Sequence, residues 1–130
     1  AYPVAINGGI ETMDAIKTHL QYVDGVMLGR AAYHTPELLL EIDPHLFGVD
    51  APYQNAFDAL EAYFPYIERQ FQDGVPLHAM TRHLLGLFHG RPGARSYRRH
   101  LATEGVKRDA TLQTLKDALA HVARDVPRAA

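Results

Sequence analysis

Apolar residues form two short continuous runs near the start of this chain and, after them, stripes with the spacing of helices. Val4-Ala5-Ile6 is β-prone and is closed by Asn7-Gly8-Gly9. From Ile10 to Leu20 the positions Ile10, Met13, Ile16 and Leu20 share one helical face. Asp24-Gly25 breaks that helix, and Val26-Met27-Leu28 is a second buried-strand candidate, ended by Gly29-Arg30. Strand, helix, strand is a βαβ unit, whose strands run parallel and whose ligand sites gather at the strands' C-terminal ends. Both glycine motifs sit at those ends.

The pattern from Ala31 to Ile42 is helical with an interruption at Pro36, and Asp43-Pro44 opens a loop running to Asp50-Ala51-Pro52. That loop is the predicted boundary between a first part, residues 1–50, and a second, residues 51–130. Beyond it everything reads as helix. Phe57, Leu60, Phe64, Ile67 and Phe71 make one stripe, with a kink expected at Pro65 and a stop at Gly74. Leu77, Met80, Leu84, Leu87 and Phe88 make a second, stopped at Gly90. Arg91-Pro92-Gly93 is a sharp turn into a third, Ala94, Tyr97 and Leu101. Leu112, Leu115, Leu119 and Val122 make the fourth, ending before Pro127. The predicted architecture is therefore mostly α: one βαβ unit followed by a C-terminal helical bundle. The four stripes can bury one another, whereas two lone strands leave their outer edges unpaired.

Composition narrows the class. Hydrophobic residues make up 47% and charged ones 22%, enough apolar content for a buried core. No apolar run approaches the roughly 20 residues that span a bilayer, so no membrane partner is expected and a cytoplasmic location is. The chain has no cysteine, which excludes a disulfide, a thiolate zinc site and a cysteine acid or nucleophile within these residues. The net charge of -2 conceals an asymmetry: residues 1–65 carry two basic and nine acidic side chains, and residues 66–130 eleven basic and six acidic. Ten of the thirteen basic residues are arginine, whose planar fork suits phosphate and base edges. A basic half points to an anionic partner, or to a solvated arginine surface.

Three constellations carry candidate chemistry. Asn7-Gly8-Gly9 and Gly29-Arg30, each after a strand, suit a place where backbone amides converge on a phosphate, because glycine lacks the Cβ that would block the approach. Such sites recur after the seventh and eighth strands of (β/α)8 barrels, so this βαβ unit reads as a barrel's end. Taken alone, a Gly-Gly after a strand is more often a tight turn and an Arg at a strand end more often a surface ion pair; it is the two together that point to a phosphate. Arg95, Arg98 and Arg99 stand at i, i+3 and i+4 of the third bundle helix, a spacing at which like charges repel unless a polyanion lies against them. The eight histidines include no pair at the i, i+4 spacing of a metalloprotease helix, and His78, His83 and His89 fall on different faces of the second stripe, so no metal site is assigned. No catalytic residue is assigned either. Tyr33, Tyr63, Tyr66 and Tyr97 read as core or interface aromatics whose hydroxyls reach a partner.

Ile6-Asn7-Gly8-Gly9-Ile10, Asp24 through Tyr33, Arg82 through Phe88 and Pro92-Gly93-Ala94-Arg95, in this order, resemble the closing third of tRNA-dihydrouridine synthases of the A type. The resemblance runs from Ile6 to about Leu119 and implies a barrel that binds FMN, joined to a helical domain that helps hold tRNA. It implies that NADPH reduces the flavin, that hydride passes to a D-loop uridine, and that a barrel cysteine supplies the proton. It places Asn7, Gly8, Gly9, Gly29 and Arg30 at the FMN phosphate, and Arg95 and Arg98 at the tRNA backbone, with Arg99 a weaker candidate beside them. The remaining strands and the cysteine would precede Ala1, so the chain is expected to be an inactive fragment of such an enzyme. Two other readings stand beside it. One is the end of a different phosphate-binding barrel oxidoreductase with a helical interaction domain, the other a free-standing helical RNA-binding module.

Overall fold

A computed structural model describes residues 2–124, which separate into two compact units, residues 2–54 and 55–124.

In the first unit, β1 (Ala5–Asn7) and β2 (Gly25–Met27) pair in parallel, with Ala5 opposite Gly25 and Asn7 opposite Met27. The crossover is α1 (Met13–Leu20), three residues shorter at its start than the stripe predicts. Thr12 sets that start: its side chain accepts the N–H of Ala15 at 3.1 Å, satisfying a donor that no helical carbonyl can reach. Ile10 is buried ahead of the helix, and with Met13, Ile16 and Leu38 forms a small core beneath the sheet. The predicted helix from Ala31 to Ile42 is in fact two pieces, α2 (Arg30–His34) and a 3₁₀ segment, Pro36–Glu41. Proline forces the break, since it lacks the N–H the helix would need and drives Thr35 out of helical conformation, to φ -137 and ψ 65. The expected loop at Asp43-Pro44 is instead a π-helical turn, Asp43–Phe47, closed by Gly48 at φ 65.

In the second unit, α3 (Ala56–Gln72) is continuous through Pro65. Asn55 caps it, its Oδ1 accepting from the Asp58 N–H at 2.9 Å. The second stripe does not form a single helix: α4 (Leu77–Thr81) stops after five residues and a succession of turns carries the chain to Gly93. There i to i+3 bonds replace helical ones, among them Leu84 N–H to Thr81 O and Leu87 N–H to Leu84 O. The Leu84 carbonyl also accepts the Tyr97 hydroxyl at 3.0 Å. Of the three histidines of that stripe, His83 and His89 consequently lie in turns and His78 on a helix. α5 (Ala94–Thr103) and α6 (Leu112–Leu119) follow the third and fourth stripes. Pro127, expected to stop the last helix, lies outside the described residues; α6 ends eight positions before it. Phe57, Ile67, Leu77, Phe88, Tyr97 and Leu115 anchor the core, with Phe88 edge-on to Tyr97 at 5.0 Å between ring centroids.

Candidate phosphate and nucleic-acid sites

Parallel pairing brings the ends of β1 and β2 side by side, and the loops that leave them enclose one cavity of about 310 Å³. Asn7, Gly8, Gly9, Gly29 and Arg30 all line it, together with Ile10, Glu11, Met27 and Ala31, which the sequence pattern did not single out. Gly8 and Gly9 have φ of 119 and 67, backbone that a side chain resists. A Cβ built at Gly8, Gly9 or Gly29 would meet nothing within 4 Å. Glycine at positions 8 and 9 is thus demanded by the backbone turn and not by crowding from the chain, and the space above the loop is open. Arg30 is exposed and forms no ion pair among the described residues. An open loop of amides beside a free guanidinium can take an oxyanion, and Glu11 on the rim opposes a second negative charge there.

The three arginines of α5 are not equivalent. Arg95 and Arg99 are exposed, but Arg98 is half-buried, because at about 100° per residue it falls next to the buried Ala94 and Leu101. None of the three has an acidic partner among the described residues. Arg99 faces a groove of about 400 Å³ that also holds Ser96, His100, Glu104, Asp117 and His121, so two carboxylates temper its charge. Lys107 donates to Glu104 at 2.7 Å, a bond that holds the Glu104 carboxyl below the usual carboxylate range. Arg124 lies beyond α6, tied to Glu61 at 2.8 Å with its guanidinium 4.4 Å from the Phe57 ring centroid. Among the described residues no group of three or more histidines and carboxylates is placed to hold a metal ion, and no helix is long and apolar enough to cross a membrane.

The class these features define is a parallel βαβ unit with a glycine- and arginine-lined cavity at its strand ends, joined in sequence to an arginine-bearing helical unit. Residues 1–124 match the family described as dihydrouridine synthase, and the chain belongs to that family. It is 45% identical over 123 residues to the tRNA-dihydrouridine(20/20a) synthase of Vibrio parahaemolyticus, covering 95% of this chain and 38% of that protein. The protein of the same name from Yersinia pestis is 45% identical over 94% of this chain and 35% of its own length, and that from Xanthomonas campestris 50% identical over 83% and 31%. The chain therefore spans under two fifths of the length of these curated relatives.

Proposed function

We propose that this chain serves within an FMN-dependent tRNA-dihydrouridine synthase, where it holds the flavin's phosphate and part of the tRNA. The observation that carries the reading is the meeting of Asn7, Gly8, Gly9, Gly29 and Arg30 around one open cavity in a chain of this family. The amides of the Gly8-Gly9 loop and of the turn at Gly29 would bind the phosphate oxygens, and Arg30 would neutralise them, each bond to the charged group contributing about 1.5–3 kcal/mol. β1 and β2 would be neighbouring strands of a larger parallel barrel. The flavin, reduced by NADPH, supplies the hydride for reduction of a tRNA uridine; no residue of this chain is assigned a step in that transfer. A cytoplasmic setting follows from the tRNA substrate.

On the helical unit, Arg95 and Arg98 would contact the tRNA backbone, and Arg99 contributes less because Glu104 and Asp117 share its groove. Two measurements on the full chain test the two halves of the proposal. Titration with FMN should shift the amide resonances of Gly8 to Ile10 and Gly29 to Ala31, and Arg30→Ala should weaken that response; resonances that ignore FMN would remove the cradle. Arg95→Ala with Arg98→Ala should weaken tRNA binding and reduce its log-log salt slope by roughly 0.7–0.9 for every phosphate the substitutions release. Arg108→Ala, an exposed arginine off α5, is the control. Arg124 is unsuited to that purpose, because its removal also breaks the contacts to Glu61 and Phe57. Unchanged affinity and slope in the double variant would leave the α5 arginines a solvated surface.

A further inference from the structure

Tyr63, Tyr66 and Arg69 recur at every third position of α3 and so form one row along its surface. The two rings are stacked, with centroids 4.9 Å apart and planes inclined by 22°. The Arg69 guanidinium carbon lies 5.9 Å from the Tyr66 centroid, at the outer limit of a cation–π contact. Tyr63 leans on the core of the helical unit, while Tyr66 keeps 39% of its surface exposed. Neither hydroxyl has a hydrogen-bond partner among the described residues, contrary to the expectation that both reach one. Desolvation of Tyr63 and the neighbouring Tyr66 phenol push the Tyr63 pKa up.

A core tyrosine hides its ring, and a surface tyrosine usually stands alone; a stacked pair whose outer ring is exposed and adjoins a loosely held guanidinium does neither. The flat faces suit a flat ligand, and the cation at the end of the row suits an anionic one. Glu61 and Glu68 lie on the far side of α3 from Tyr66 at about 100° per residue, and Asp73, the C-cap four positions beyond Arg69, lies on the row's side but forms no ion pair with Arg69 among the described residues. Residues 55–130 carry eleven basic and eight acidic side chains, an excess that favours the same sign of partner. A nucleotide combines a flat π face with a phosphate one bond removed from its sugar, and base-on-aromatic stacking tolerates every base.

We infer that Tyr63, Tyr66 and Arg69 form a stacking platform for an unpaired nucleobase of the bound RNA. The base lies against the exposed Tyr66 ring and Arg69 turns from that ring to the adjoining phosphate. The inference rests on the RNA-holding role proposed above and adds to it a contact of different physics, dispersion and π stacking in place of phosphate charge.

A single-stranded oligouridylate carrying one fluorescent purine analogue, and a blunt RNA duplex, are titrated into the full chain and its variants. Stacking should quench the analogue with the parent chain. Tyr66→Ala should abolish the quench and weaken single-strand binding about tenfold, leaving duplex affinity and salt slope unchanged. Tyr66→Phe should retain both quench and affinity, because the ring face and not the hydroxyl makes the contact. A Tyr66→Ala chain that quenches and binds as the parent does, or that weakens equally on duplex, overturns the platform. If Arg95→Ala with Arg98→Ala flattens the salt slope while Tyr66→Ala changes nothing, only the platform falls. If the parent chain binds neither RNA, the RNA-holding role falls and the platform with it.

Discussion

The two units build their candidate sites by opposite means. In residues 2–54 four buried side chains, Ile10, Met13, Ile16 and Leu38, support two three-residue strands, and Val4 and Met27 on and beside those strands stay 55% and 52% exposed. The candidate site there is mostly backbone: loops that emerge together because parallel pairing fixes where strands end. In residues 55–124 fourteen buried side chains close a core among four helices, and the candidate contacts are side chains on its outside. A backbone cradle can stand on a small scaffold, since two strands in register suffice to place it. A row of arginines or tyrosines needs a rigid helix, and a rigid helix needs a large buried face.

The sharpest way to break the contrast is at Gly93, where the helical unit is locked by backbone against backbone. Gly93 has φ 89, and a Cβ there would lie 1.8 Å from the His121 carbonyl oxygen, while Ala123 N–H bonds to Pro92 O beside it. Gly93→Ala should cost at least about 3 kcal/mol, from a strained backbone and a clash that no side chain can relieve. Chemical denaturation followed by helical circular dichroism measures it; a destabilisation under about 1 kcal/mol would mean that the approach of the α5 start to the end of α6 is not rigid.

Equal truncations in the two cores come next. Ile16 and Leu115 are both fully buried, and each substitution by alanine should cost about 2–5 kcal/mol. The consequences should differ. Ile16→Ala should strip amide-exchange protection from the β1, α1 and β2 residues while the helical unit keeps its own, because the four-residue core has little stability to lose. Leu115→Ala should lower protection throughout α3, α5 and α6 and leave that unit folded. Loss of protection in both units from either substitution would show one cooperative fold in place of two.

The smallest effect expected is at Tyr97. Its ring is fully buried and its hydroxyl donates to Leu84 O, which also accepts the Leu87 N–H, so Tyr97→Phe removes one of two donors to that carbonyl and should cost about 0.5–1.5 kcal/mol. Burial drives the Tyr97 pKa well above its ordinary value of 10.0. The neutral phenol is thus favoured in the folded state: its contribution is fully present below the unfolded pKa and is lost as pH rises above it, when the unfolded chain ionises and the folded one does not. Stability of the helical unit should fall above about pH 10, and Tyr97→Phe should flatten that fall. An alkaline slope equal in the two proteins would assign the titration to other groups.

Much of this was legible from residue order. The apolar stripes of α3, α5 and α6 located those helices to within a few residues, since a periodic face must be buried whatever it packs against. Gly8-Gly9 and Gly29-Arg30 marked the turns that meet at one cavity, because a short strand followed by glycine leaves little choice of direction. The spacing of Tyr63, Tyr66 and Arg69 is equally present in the sequence, hidden there by the more conspicuous arginines of α5. Other features depend on contacts between distant residues. Leu84, Leu87 and Phe88 continue a helical stripe, yet the chain turns there, with Phe88 against Phe57 and Tyr97 and the Leu84 carbonyl bonded to Tyr97, thirteen positions on. Arg98 became half-buried and Arg99 entered a groove with Glu104 and Asp117 only once α5 lay against α6. Gly93 reads as any turn glycine until the His121 carbonyl is beside it. Periodicity states that a face must be covered; which backbone or charge covers it is decided by packing, through partners that no local stretch of sequence contains.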